Sequence, residues 1–192
     1  IEAFKAGGGT IVKDEAYASG DVHFKSQLTS IKGAKPDIVF VPGYYTEVGI
    51  IARQARELGI KATLLGGDGW DSEKLVEIGG PAILGSYFSS HYSAEDKSPM
   101  VQSFVANYKA KYGEMPNSLA AMGYDAALVA IDSLSRSKDL SYQAMRDAIA
   151  ATKNFQAVTG IISLNEERNA IKPAVVLKVN PKEYSWVTTI NP

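Results

Sequence analysis

Twice within residues 37–71 the chain runs a short apolar segment into a turn and then toward a helix. Asp37-Ile-Val-Phe-Val41 follows Pro36 and ends at Pro42-Gly43, and Ala62-Thr-Leu-Leu65 ends at Gly66-Gly67. An unbroken apolar run of strand length reads as a strand covered on both faces, so Asp37–Val41 is expected inside a sheet. Between the two runs, Thr46–Leu58 places Val48, Ile51, Ala55 and Leu58 on one stripe and stops at Gly59, as an amphipathic helix does. Strand, helix and strand in this order restrict the chain to α/β folds with parallel strands and right-handed crossovers.

The flanking sequence extends the pattern. Thr10–Tyr17 reads as a strand and Asp21–Lys32 as a helix, with Phe24, Leu28 and Ile31 on one face. Ser72–Ile78 is a short helix and Ile83–Tyr92 a strand. A polar stretch, Ser93–Pro99, marks a hinge or linker. Three helices follow, Met100–Tyr112, Asn117–Arg136 and Ser141–Ala151, with Ser141 at a capping position. The tail returns to strands at Gly160–Leu164, Ala174–Val179 and Tyr184–Ile190, with turns at Asn165–Asn169 and Asn180–Lys182. The expected class is α/β, a doubly wound parallel sheet.

Composition removes several function classes. The 192 residues carry a net charge of −1 with both signs mixed, which argues against a nucleic-acid surface. With no cysteine there is no thiolate nucleophile or thiolate metal site. No apolar run reaches the ~20 residues that span a bilayer. The opening, Ile1-Glu-Ala-Phe-Lys-Ala-Gly-Gly-Gly9, reads as the last turns of a helix meeting a glycine stop rather than a signal peptide. A fragment is therefore expected, with a leader, an anchor or a preceding lobe outside this sequence.

In an open α/β sheet, ligands sit outside the carboxyl ends of the strands. Tyr44-Tyr45 and Gly66-Gly67-Asp68-Gly69-Trp70-Asp71 follow the two apolar runs, so they are expected to share that edge. The glycine loop matches neither phosphate-binding spacing, and an acid in its middle repels phosphate. Asp68 suits a cation or an ammonium through charge-assisted hydrogen bonds. Asp71 reads most simply as the N-cap of the next helix. One of the two tyrosines can stack on a ligand; the alternative places one ring in the core and the other over the helix start. The two histidines, His23 and His91, have no partner at a catalytic spacing, and no nucleophile-elbow, zinc-helix or paired-carboxylate motif is present. No metal site and no cofactor is expected.

Gly20-Asp21-Val-His-Phe24, Pro36-Asp37-Ile-Val-Phe, Gly43-Tyr44-Tyr45-x-Glu47-x-Gly49, Arg53-Gln54-Ala55-Arg56-x-Leu58-Gly59, Gly66-Gly67-Asp68-Gly69-Trp70-Asp71-Ser72 and Gly123-Tyr124-Asp125-Ala126 occur in that order. Together they resemble the periplasmic solute-binding proteins of branched-chain amino acid ABC importers, the leucine/isoleucine/valine-binding group with the type I periplasmic-binding-protein fold. The resemblance implies two α/β lobes joined by three crossovers, with this chain lacking most of the first lobe. It implies second-lobe βα units over residues 1–92, helices associated with the first lobe over 93–160, and C-terminal strands returning to the second lobe over 161–192.

The resemblance also implies roles. Tyr44 would line an amino-acid site, Asp68 would pair with the ligand ammonium and Trp70 would form part of the wall. Leu119 would lie near the ligand side chain, where relatives often carry an aromatic ring. His23 replaces the acid usual in the Gly-Asp-x-Asp-Phe pattern. The implied function is non-enzymatic amino-acid binding for an ABC importer, with the importer's membrane subunits as partners and a periplasmic or extracellular lipoprotein location. A ligand-sensing receptor domain with the same fold, or a cytosolic α/β enzyme, are the alternatives. A chain missing a strand is further expected to expose an unpaired sheet edge and to self-associate through it.

Overall fold

The computed structural model describes residues 1–192. The chain divides into two compact units, one made of residues 1–88 and 178–184, the other of 89–177 and 185–192. Unit 1 contains α1 (Glu2–Ala6), α2 (Lys25–Ala34), β1 (Ile38–Val41), α3 (Tyr45–Glu57), β2 (Thr63–Gly66), α4 (Lys74–Gly79) and the start of β3 (Tyr87–Ser90). Unit 2 contains α5 (Pro99–Tyr112), α6 (Ser118–Arg136), α7 (Tyr142–Ala150), β4 (Phe155–Ala157), β5 (Gly160–Leu164) and β6 (Ala170–Ile171). The chain re-enters unit 1 within β7 (Ala174–Val179) and leaves it again at the start of β8 (Tyr184–Ile190). The larger sheet runs β1-β2-β3-β7-β8, and a smaller one runs β4-β5-β6.

In unit 1, β1 pairs with β2 and β2 with β3, both in parallel, as the strand–helix alternation predicts. The expectation that β1 is covered on both faces fails. Val39 and Val41 are buried, but Ile38 and Phe40 are not, and Phe40 is 62% exposed. The strand lies at the sheet's edge with β2 as its ladder partner, so an apolar run here marks one covered face only. Thr10–Tyr17 forms no strand. Its β-prone residues find no backbone ladder, and without one propensity does not suffice. Side chains hold its end instead, with the Tyr17 hydroxyl donating to Pro42 O at 2.6 Å and Gln27 Nε2 donating to Ala16 O at 3.3 Å.

Helix α2 starts four residues later than its apolar spacing suggests. Asp21 Oδ2 closes a turn by accepting from the Ala18 N–H at 2.8 Å, and Gln54 takes up the next backbone groups. Its Oε1 accepts from Phe24 N–H and its Nε2 donates to Val22 O, each at 2.8 Å. Likewise β3 begins at Tyr87 because Gly80–Ala82 forms a 3₁₀ turn and Ile83 plugs the core. Arg56 closes the far end of α3, giving hydrogen bonds to the carbonyls of Ile60, Ala62 and Ala82.

Unit 2 follows its sequence signals closely at the helix starts. The side chains of Ser98, Asn117 and Ser141 each accept a first-turn N–H, from Val101, Ala120 and Ala144. Tyr92, Val101, Phe104, Ala121 and Val158 form its core, with Tyr92 edge-on to Phe104 at 6.1 Å. Strands β4, β5 and β6 are antiparallel, an addition to the expected parallel sheet. Of these, β5 lies where the sequence predicts a strand, whereas β4 and β6, of three and two residues, carry too little periodicity to read.

Candidate functional site

The register of β1 on β2 sets Val41 opposite Gly66, so the turns beyond both strands begin side by side at the carboxyl edge. The first turn is Pro42-Gly43-Tyr44, and α3 starts at the next residue. The second passes through Gly67 into a 3₁₀ turn, Asp68–Trp70. The two turns touch. A Cβ placed on Gly69 would come within 2.5 Å of Gly43 O and 3.2 Å of Tyr44 Cδ1. Only a glycine permits this approach, and it seats the Tyr44 ring beside the Asp68 turn. Tyr44 is 71% exposed and Asp68 is also exposed, so an aromatic face and a carboxylate lie on neighbouring turns at one strand edge.

Trp70 behaves differently. It is wholly buried, its Nε1–H donates to Val41 O at 3.1 Å, and its ring lies 6.2 Å from Phe88. A side chain at Gly66 would overlap the indole. The ring therefore lies beneath the Asp68 turn and joins it to the end of β1, rather than presenting a surface. Two glycines of the Gly-rich loop thus serve internal contacts, whereas a Cβ at Gly67 would meet nothing within 4 Å. Asp71 does not cap the next helix. It ends the 3₁₀ turn, α4 begins at Lys74, and the Ser72 hydroxyl accepts the Lys74 N–H at 3.3 Å.

Residues 17–20 brace the first turn. Beyond the Tyr17–Pro42 bond, Gly20 N–H donates to Glu47 Oε1 at 2.9 Å. That bond, with one from the Glu47 backbone, holds the Glu47 carboxyl below its usual range. Burial, and then the Glu47 charge, push the Tyr17 phenol up.

In unit 2, Leu119 is the second residue of α6 and is 63% exposed. Asp125, in the Gly-Tyr-Asp-Ala segment, is 2% exposed and accepts two backbone N–H groups at 2.8 Å, Val158 on Oδ1 and Thr159 on Oδ2. Its role is to join α6 to the turn between β4 and β5. His23 is exposed, and the His91 carbonyl accepts from Lys172 Nζ at 3.4 Å. No group of three His, Asp or Glu side chains is placed to hold a metal ion, and no helix is long and apolar enough to cross a membrane.

A sequence model of the periplasmic binding protein family matches residues 1–183. The chain belongs to this family. Among solved periplasmic binding proteins, the leucine-binding protein LivK of Thermotoga maritima is 38% identical and superposes with a TM-score of 0.94 over 100% of this chain and 55% of its own. LivJ of Streptococcus pneumoniae, a branched-chain amino acid transporter binding protein solved with isoleucine, is 33% identical with a TM-score of 0.88 over 100% of this chain and 55% of its own. The Leu/Ile/Val-binding protein BraC3 of Rhizobium johnstonii is 40% identical over 102 residues, 51% of this chain and 28% of that protein. The fold is the type I periplasmic-binding-protein fold, and the chain spans about half the length of these solved relatives.

Proposed function

We propose that this chain forms one wall of an amino-acid site in the solute-binding component of an ABC importer. The observation that carries the reading is the pairing of Tyr44 with the Asp68 turn at the carboxyl edge of β1 and β2, in a chain that superposes along its whole length on leucine- and isoleucine-binding relatives. Asp68 neutralises the ligand ammonium and the Tyr44 ring packs on the ligand backbone. Trp70 holds the Asp68 turn from below, and Leu119 faces the ligand side chain in the full protein. Residues 1–92 supply second-lobe βα units, 93–160 the helices of the first lobe, and 161–192 the returning strands. The role is binding rather than catalysis, with the importer's membrane subunits as partners, in the periplasm or on an extracellular lipoprotein.

The test is calorimetry on the full-length protein with leucine, isoleucine and valine. Asp68→Ala is expected to weaken binding by at least about 2 kcal/mol, because a buried ammonium loses its partner. Unchanged affinity in that variant would remove Asp68 from the site, and failure of all three amino acids to bind would remove the ligand class.

A further inference from the structure

Unit 1 gives up the chain at two places, after Phe88 and after Tyr184. These two residues are stacked edge to face, with ring centroids 4.9 Å apart at 82°. Each also reaches the loop that carries Asp68. Phe88 lies against Trp70, and the Tyr184 hydroxyl donates to Ser72 O at 2.5 Å. Trp70 in turn holds Val41 O, the last carbonyl of β1. The loop from Gly67 to Ser72 is thus held at Trp70 and at Ser72 by a row of three rings, and two of those rings mark the exits of the chain from the unit. Phe88 and Trp70 are fully buried, and the Tyr184 hydroxyl is held well above the usual phenol range by burial and then by the Asp71 charge, so it stays a donor.

We propose that Tyr184 is a positioning residue for the amino-acid site: together with Phe88 and Trp70 it sets the place of Asp68, so that displacement of either chain exit is transmitted to the Asp68 carboxylate. The identity of the ligand rests on the amino-acid reading above; the brace itself does not. Rings in contact transmit displacement because packed interiors deform little. A ligand that fixes Asp68 correspondingly biases the exits, since coupling between two places on one molecule is reciprocal.

The test compares Tyr184→Phe with wild type in the full-length protein. The substitution keeps the ring and deletes only the hydroxyl bond to Ser72 O. Amide hydrogen exchange without ligand is expected to speed up about tenfold at Trp70, Asp71 and Ser72, with the rest of unit 1 unchanged. Leucine, isoleucine or valine affinity is expected to fall about tenfold, the equivalent of one net hydrogen bond, with the melting temperature little altered. Phe88→Leu breaks the same row from its other member, is expected to speed exchange at the same three amides, and serves if Tyr184→Phe does not fold. Unchanged exchange at the three amides, or faster exchange spread over all of unit 1, overturns the brace. Faster local exchange with unchanged affinity overturns the positioning role. Faster local exchange in a protein that binds none of the three amino acids leaves the brace standing and overturns the ligand reading instead.

Discussion

Asp125 offers the sharpest measure of how unit 2 is held together. Its carboxylate is removed from water and each oxygen accepts one backbone N–H at 2.8 Å. Hydrogen bonds to a buried charge are worth about 1.5–3 kcal/mol each, and a stranded N–H retains its desolvation cost. Asp125→Ala strands both groups. Two such bonds sum to about 3–6 kcal/mol, partly offset because a carboxylate no longer has to be desolvated, so the expected loss is about 3–5 kcal/mol. Asp125→Asn preserves the shape but turns an NH₂ group toward one of the two donors. It should cost about half as much. Urea unfolding of unit 2, followed by circular dichroism, reads both values. A second signal accompanies them. Burial, opposed by the Asp125 charge, holds the Lys172 amine below its ordinary range, so its titration should move further down in Asp125→Asn. If Asp125→Ala costs under about 1 kcal/mol, the carboxylate does not secure the β4–β5 turn and the reasoning is wrong.

Three further outcomes are expected. Gly69→Ala forces the two site turns apart, because its Cβ would meet a backbone carbonyl at 2.5 Å; it should cost about 1–3 kcal/mol in thermal unfolding, while Gly67→Ala, with open space around it, stays within about 0.5 kcal/mol. Glu47→Gln should lower the melting temperature at pH 7, and the difference from wild type should shrink as pH falls below the usual 4.5. The folded-state value of Glu47 lies below the usual 4.5, so its contribution is present above that value and is lost as pH falls through the lower one. Equal melting temperatures of variant and wild type at pH 7 would count against it. The free edge of β1 should make this 192-residue chain self-associate, and Phe40→Lys should shift it toward monomer in sedimentation velocity. A wild-type chain that sediments as a monomer at high concentration removes this expectation.

The strand–helix alternation of unit 1 and the Ser141 cap of unit 2 are local signals, written in residues a few positions apart, and they read directly. What escaped the sequence depends on partners distant along the chain. The apolar run at β1 does not say whether its second face is covered, and Thr10–Tyr17 does not say whether a ladder waits for it. Gln54 delays α2 by 30 residues' remove, taking the Phe24 N–H that a helix start would otherwise have left to water. At the site, Tyr44 and Asp68 were placed on one edge by the strand order alone, and the register of β1 on β2 agrees. The burial of Trp70 was not legible, because an aromatic residue after a glycine loop reads equally as a lining or as a prop. Asp125 stood in a family motif whose purpose becomes visible only when Val158 and Thr159, more than 30 residues away, are brought to it.

The return of residues 178–184 to unit 1 has a consequence for synthesis. Val179 is fully buried there, donates its N–H to Ser86 O and accepts from the Gly85 N–H, each at 2.9 Å. A ribosome makes residues 1–88 of this unit first, then residues 89–177 of the other, and only then the closing strand. Until Lys178–Tyr184 emerges, the edge of β3 has no neighbour on that side and Ser72 O lacks its tyrosine. Unit 1 cannot mature in the order in which it is translated, and its nascent form exposes a strand edge while residues 89–177 are being made.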